Sequence, residues 1–292
     1  MSRHQSGILA PLPHLSRYLA FKLKPTMDPL QGLQAVQEII DGHSTVLGIG
    51  QSLLNAIGKT IPGMRNFPTL TGPGIEVPST PAALWCWCRG DDRGEVLHRS
   101  RRIQQVLAGD FEMIDVIDSF MFSDSRDLTG YIDGTENPQG DAAIAAAITS
   151  GVSTGIDGSS FVAVQQWLHD LDYFQEMTTS EQDNVFGRHQ HNNEEFDEAP
   201  ESAHVKRAAQ ESFEPEAFML RRSMPWTEGM EAGLMFVAFG QSFDAYEAVL
   251  KRMLGIEDGV TDGLFKFSQP ITGNYYWCPP MTAGKLDLCA LF

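Results

Sequence analysis

Apolar side chains recur along the chain in two rhythms, and the order of those rhythms points to a repeated unit. Residues 16–24 read as a strand, and Asp28-Pro29 then supplies an N-cap followed by proline at the first helical position. Leu30, Leu33, Val36 and Ile40 fall on one helical face. Val46 to Gly50 and Ala83 to Cys88 predict two more strands, Gly94 to Leu107 a helix, and Phe111 to Phe122 a fourth strand. The second half repeats this βαββαβ order. It has a strand at 160–168, a helix at about 179–187, strands at 217–224 and 234–240, a helix from Ser242 to Leu254 and a last strand near 273–278.

Such a pattern predicts an α+β protein built from tandem duplicated ferredoxin-like (βαββαβ) halves, with antiparallel sheets flanked by helices. Residues 1–125 form the first half, 126–159 a connecting segment rich in Gly, Ala, Ser and Asp, and 160–292 the second half. A second irregular stretch, His189 to Glu214, carries Glu194, Glu195, Asp197, Glu198 and Glu201, and an insert of that length is functional or disordered more often than it is idle.

Charge narrows the partners. Lys and Arg number 21 against 38 Asp and Glu, a formal net charge of −17, so a basic track for a phosphate backbone is not expected. Neither nucleic acid nor membrane is an expected partner. The four cysteines, Cys86, Cys88, Cys278 and Cys289, form one C-x-C pair and no C-x-x-C, which fits neither a zinc ribbon nor a disulfide framework. The start, Met1 to Gly7, has no twin arginine followed by an apolar run, and a cytoplasmic location is the expectation.

Few catalytic signatures survive inspection. Gly48-Ile49-Gly50-Gln51-Ser52-Leu53 begins like a dinucleotide fingerprint, but Leu53 stands where the third glycine belongs, so a tight turn is expected. Cys86 and Cys88 alternate on a strand and share a face, with Trp85 and Trp87 on the other. His189, His191 and His204 offer imidazoles that a metal could use, against the simpler reading of histidines on a surface loop. More informative is Gly130-Tyr131-Ile132-Asp133-Gly134-Thr135-Glu136-Asn137-Pro138, an Asp-Gly turn ending at Asn-Pro. Beside it stand the lone His204 of Ser202-Ala203-His204 and the pair Arg221-Arg222 on a predicted strand. Adjacent strand residues face opposite sides, so one of these arginines points inward and needs an anionic partner.

Together these segments resemble the dye-decolorising haem peroxidases, in the cytoplasmic bacterial branch. Gly130, Asp133, Gly134 and Thr135 match that family's Gly-x-x-Asp-Gly-Thr motif; Ser202-Ala203-His204 matches its Ser-x-His segment, and Arg221 to Pro225 its arginine-bearing strand. The likeness extends to Gln5 to Leu9, Val185 to Arg188 and Ile271 to Gly273. It implies haem b as cofactor, bound mainly by the second half, with hydrogen peroxide as oxidant and a dye, phenol or other bulky small molecule as reductant.

Residue by residue, the resemblance makes His204 the proximal iron ligand, Asp133 the distal acid/base and Arg221 the distal cation. Asp262 is the expected partner of the ligand imidazole, with a loop cap as the alternative, and Arg188 the expected partner of a haem propionate, while Leu234 and Phe236, alternating on a predicted strand, are expected either as the apolar distal wall or as ordinary core packing. Ser223 departs from the family pattern, where asparagine is common, and is expected to hold a distal water. An aspartate beside Arg⁺ is expected to have a lowered pKa, which would favour an acidic optimum. Bulky donors are expected to be oxidised at surface aromatic residues, with Trp167, Tyr173, Trp226 and Tyr246 as candidates. The end at Leu288 to Phe292 leaves little chain after the last core segment, so packaging in a protein compartment is not expected, and homo-oligomerisation stays open. The competing readings are a haem-handling or haem-storage protein with incidental peroxidase activity, and a non-haem metalloprotein using His189, His191 and His204.

Overall fold

The computed structural model describes residues 3–25 and 28–292. Met1 and Ser2, part of the start read above for a leader, lie outside them. The first half runs β1 (Leu15–Leu23), α1 (Pro29–Gln37), β2 (Thr45–Ile49), α2 (Gln51–Ala56), the hairpin β3 (Leu70–Gly72) and β4 (Ile75–Val77), β5 (Leu84–Gly90), α3 (Arg93–Leu107) and β6 (Phe111–Phe120). Helix α4 (Gly140–Ala147) sits in the connector. The second half follows as β7 (Ser160–His169), α5 (Leu171–Glu176), α6 (Thr179–Phe186), α7 (His204–Arg207), β8 (Leu220–Arg221), β9 (Met224–Glu228), β10 (Glu231–Gly240), α8 (Asp244–Met253), β11 (Ser268–Pro270), β12 (Asn274–Cys278) and a terminal hairpin, β13 (Met281–Thr282) and β14 (Lys285–Leu286).

Local chemistry accounts for the main boundaries. Asp28 caps α1 through Leu30 N with Pro29 behind it, and Asp92 caps α3 through Glu95 N. Thr178 and Glu181 form a reciprocal capping box on α6, and Gly187 ends that helix in the left-handed region. In the connector, where irregular chain was expected, the alanine-rich run Asp141 to Ala147 folds as α4 and buries Ala143 and Ala147. Alanine gives the highest helix propensity, and here it outweighs the surrounding glycines.

Among the described residues, ten strands form one sheet in the order β11-β7-β12-β2-β5-β1-β6-β9-β10-β8, and β7 also pairs with β10. The recorded pairings within it are all antiparallel. The additional pairing closes the sheet on itself, so the antiparallel sheets expected from the sequence are joined in a barrel. Period-two alternation then gives two cores. Tyr18, Val46, Trp85, Trp87, Val164, Trp226, Val237, Phe239 and Tyr276 fill the barrel interior. The opposite faces of the same strands, including Cys86 and Cys88, pack under α1, α3 and α8 through Leu33, Val36, Ile103, Val249 and Leu250. Each such fully buried large side chain contributes ~1.5–3 kcal/mol. Cys86 and Cys88 are both buried on that face, the shared face that their alternation implied. Gly50 N donates to Ala83 O at 2.9 Å as β2 turns into α2, the tight turn expected there.

One predicted strand is broken. Residues 217–224 were expected to run continuously, but β8 covers Leu220 and Arg221 and β9 begins at Met224. At the gap Val237 N reaches the Ser223 side-chain Oγ, 3.4 Å away, where a ladder would offer a backbone carbonyl.

Candidate active site

A cavity lies on the helical side of the barrel wall. Its floor comes from outward residues of β7 and β10, Gln165, Trp167, Leu234 and Phe236; α8 adds Tyr246, Val249, Leu250 and Met253. The remaining walls bring Asp133, His204 and Arg221 together, as the motifs implied. It is a mostly apolar container with a few convergent polar groups, the usual form of a cofactor site.

Each polar group is held by its own element. Asp133 sits in the Gly130 to Pro138 turn, where Gly130 and Gly134 take φ of +88° and +78°, conformations that L side chains rarely adopt. Asn137, read from sequence as a turn residue, ties that turn to the arginine strand: its Oδ1 accepts from Arg221 N at 2.8 Å and its Nδ2 donates to Arg221 O at 3.0 Å. The amide thus fixes Asp133 and Arg221 in one frame. Arg222 leaves on the other side and donates to the carbonyls of Ile8 and Leu9. The alternation expected for the pair holds, with Arg221 on the cavity.

His204 opens the four-residue helix α7 inside the acidic insert. Its Nδ1 lies 2.8 Å from Asp262 Oδ2, and the Asp262 side chain is fully buried. The other carboxylate oxygen accepts from Leu264 N at 2.9 Å, so Asp262 is both a turn cap and a partner of the imidazole. That bond fixes the tautomer with the proton on Nδ1. Nε2 has no hydrogen-bond partner among the described residues, and the ring borders the cavity.

The Asp133 carboxyl departs from expectation. It keeps part of its surface open to the cavity, yet protein atoms surround it, and burial pushes its pKa above the ordinary 3.8 against the smaller lowering effect of the Arg221 charge. Asp127 nearby adds to the rise, and His204 opposes it. The lowered pKa expected from an Arg–Asp pair is therefore overturned, because desolvation exceeds the attraction. For stability the sign is fixed. The protonated form's contribution is complete below 3.8 and is lost as pH rises through the higher folded value. Cofactor-free Asp133→Asn protein should melt above wild type at neutral pH, with the gap closing towards pH 3. Parallel melting curves at every pH would contradict this.

Other expected residues are less simply placed. Arg188 lines an outer vestibule with His204, but its guanidinium already donates to Glu136 Oε1 at 3.0 Å, Glu195 Oε1 at 2.5 Å and Asn193 O at 2.9 Å. Ser223 is buried outside the main cavity, in a small side cavity shared with Asp133, Gly134 and Arg221. Of the aromatic residues expected at the surface, Trp167, Trp226 and Tyr246 are buried, and Tyr173 is exposed. Bulk and a polar tip do not by themselves bring a ring to the surface.

Several cavity residues carry no motif that marks them in the sequence. Asp127, His169 and Ser268 form a buried cluster on the wall: His169 Nε2 lies 3.1 Å from Asp127 Oδ2, and Nδ1 lies 2.6 Å from Ser268 Oγ. Only the Asp127-x-Thr129 spacing, an Asx turn, was legible. Among the described residues no group of three or more His, Cys, Asp or Glu side chains is arranged to hold a bare metal ion. His189 instead bonds Asp183, and His204 bonds Asp262.

Among the described residues, three buried polar atoms on the cavity lack a hydrogen-bond partner: Arg221 Nε, Gln165 Nε2 and Tyr246 OH. Buried polar groups are rarely left unpaired, so unsatisfied atoms converging on one apolar cavity indicate a ligand bearing polar substituents. A large flat apolar macrocycle with carboxylate arms would suit this set, and the His204 ring, engaged at Nδ1, leaves Nε2 free beside it.

Comparison with known proteins agrees. The family model described as Dyp-type peroxidase, C-terminal, matches residues 124–283. The dye-decolorizing peroxidase of Mycolicibacterium paratuberculosis is 30% identical over 244 residues, covering 81% of this chain and 69% of its own. A dye-decolorizing protein from V. cholerae superimposes with a TM-score of 0.84 at 25% identity, covering 94% of this chain and 96% of that one. A variant of Rhodococcus jostii RHA1 DypB, solved in complex with haem, gives 0.85 at 26% identity over 93% of this chain and 94% of its own. On the family match and on the extent of these likenesses, the chain belongs to the Dyp-type, dye-decolorising peroxidase family.

Proposed function

We propose that the cavity binds haem b through His204 and that the protein reduces hydrogen peroxide with electrons from dyes, phenols or other bulky donors. The observation that carries this is the imidazole of His204, tied at Nδ1 to buried Asp262 and free at Nε2, bordering one cavity with Asp133 and Arg221. When bound, haem supplies the iron at which the peroxide O–O bond is broken and the two oxidising equivalents are stored. Asp262 accepts the Nδ1 proton of His204 and fixes the orientation of the ring, leaving Nε2 available to the iron.

Asp133 in its carboxylate form takes a proton from one peroxide oxygen and returns it to the other, the departing one. Arg221 stabilises the negative charge that builds on the departing oxygen, and Asn137 keeps the two groups in register. Leu234 and Phe236 exclude water from the reacting face. Ser223, in the side cavity behind Asp133 and Arg221, is placed within this reading as a holder of a distal water. Arg188 takes a haem propionate by exchanging it for Glu136 or Glu195, which are more exposed than the arginine.

The tandem duplication expected from sequence is part of the same reading. It is supported by strand orders β2-β5-β1-β6 and β12-β7-β10-β9, which repeat one pattern of adjacency in residues 1–125 and 160–292, with 126–159 between them. Asp262, His204 and Arg221 all come from the second unit. Among the described residues no helix is long and apolar enough to cross a membrane, and the reading retains a cytoplasmic location.

An absorption spectrum tests the function. Purified protein reconstituted with equimolar haem should show a sharp Soret band that shifts on one equivalent of peroxide and returns when a phenolic donor is added. A haem-storage protein would bind haem but react slowly with peroxide, and a non-haem metalloprotein would give no Soret band.

A further inference from the structure

Two tyrosines border the cavity and differ in where their protons can go. Tyr246 OH is buried and has no hydrogen-bond partner among the described residues. Tyr131 OH donates to Asp183 Oδ1 at 2.5 Å. The other oxygen of Asp183 lies 2.8 Å from His189 Nδ1, and Gln190 N donates to Oδ1 at 3.2 Å. Tyr131 is buried, whereas the His189 side chain is 41% exposed, so a hydrogen-bonded line runs from the cavity wall to the surface. The Tyr131 ring stacks on Phe186, itself a cavity residue, with centroids 3.8 Å apart and planes 14° from parallel. Nothing in the peroxide step uses this assembly.

A phenol that loses an electron becomes a strong acid, and its oxidation is easiest when a base already holds its proton in a short hydrogen bond. Burial would raise the Asp183 carboxyl, but the bonds from Tyr131, His189 and the Gln190 amide outweigh it and hold the group below its ordinary value. The acceptor is thus charged and ready. Burial and the facing carboxylate push the Tyr131 phenol upward, so the proton stays on tyrosine until an electron leaves.

We propose that Tyr131 is a redox-active side chain that gives one electron to the oxidised haem site while its proton crosses to Asp183, and that donors too bulky for the cavity return the electron at the His189 surface. This rests on the haem peroxidase reading above. One peroxide leaves the site short of two electrons. In each of two transfers the Tyr131 O–H bond breaks, the proton bonds to Asp183 Oδ1, and a neutral tyrosyl radical remains. A phenol-class donor then supplies an electron, and the proton returns from Asp183. Two donors lose two electrons and two protons, which with one peroxide make two waters.

The test is rapid-freeze electron paramagnetic resonance of the haem-loaded full chain after one equivalent of peroxide. Wild type should give an organic radical signal that narrows when the protein is grown on ring-deuterated tyrosine. Tyr131→Phe, which keeps the stacked ring, should lose that signal, and Asp183→Asn should lose it as well. Tyr173→Phe and Tyr246→Phe should retain it, and decay of the wild-type signal with a bulky phenol should slow in D2O. An undiminished tyrosyl signal in Tyr131→Phe, in protein that takes up haem with a wild-type Soret band, overturns the proposal alone. Failure of wild type to take up haem overturns both the proposal and the reading beneath it.

Discussion

His204→Ala protein should take up haem without the axial bond, giving a broad, weak Soret band in place of the sharp five-coordinate spectrum, and added imidazole should restore it. The expectation is strong because the other cavity imidazole, His169, has both ring nitrogens engaged by Asp127 and Ser268. His204 by contrast spends one nitrogen on Asp262 and keeps the other free. Asp262→Asn preserves shape but removes the negative charge from the imidazole's partner; a loss of about 10–100-fold in haem affinity is expected. A wild-type Soret spectrum in His204→Ala without imidazole would remove this residue from the iron.

The second large effect lies on the peroxide side. Asp133→Ala should slow the reaction with peroxide by about 10²–10⁴-fold, the range of general acid–base transfer. Arg221→Ala should cost about 10²–10³-fold, as for a preorganised donor at developing charge. Arg222→Ala should cost far less, since Arg222 holds the carbonyls of Ile8 and Leu9 on the other face. The pH profile carries a further check. Because burial raises the Asp133 pKa, the carboxylate is lost on acidification earlier than for an ordinary aspartate. Wild type should therefore lose rate as pH falls through that raised value, and the limb should vanish in Asp133→Ala. Stopped-flow traces showing equal losses for Arg221→Ala and Arg222→Ala, or an unchanged acid limb in Asp133→Ala, would sink this assignment.

Much of this was legible in the sequence because periodicity and spacing are local. The alternation of Trp85 and Trp87 against Cys86 and Cys88 predicted two faces, and the structure puts them in two cores. The motif residues Asp133, His204 and Arg221 did converge. What escaped were properties set by the whole fold. The break at Ser223 depends on which ladder partner Val237 N meets. The Asp133 pKa depends on how much protein surrounds a carboxyl, which no neighbour in sequence reports. Arg188 was matched to a propionate, and its pairing with Glu136 and Glu195 arises only when residues 52 and 7 positions away are folded against it. Sheet closure, likewise, follows from the extra pairing of β7 with β10, which neither βαββαβ pattern encodes.

The barrel has two seams, one where β12 meets β2 and one where β6 meets β9. Inside the halves, β1 and β5 share seven registered pairs from Leu15↔Gly90 to Phe21↔Leu84, whereas among the described residues β12 meets β2 through Trp277↔Ile49 and β6 meets β9 through Ser119↔Trp226. Each seam is a single stitch. Backbone pairing therefore adds little to cohesion across the joins, and the halves are clasped by rings inside: Trp85 of β5 stacks with Tyr276 of β12, and Trp87 with Phe239 of β10. The joint behaves like a plug in a sleeve and not like a zipper. Shaving one of those rings should loosen both halves together, and the cavity wall formed by the outer faces of β7 and β10 would lose its stiffness without any residue of the cavity having been touched.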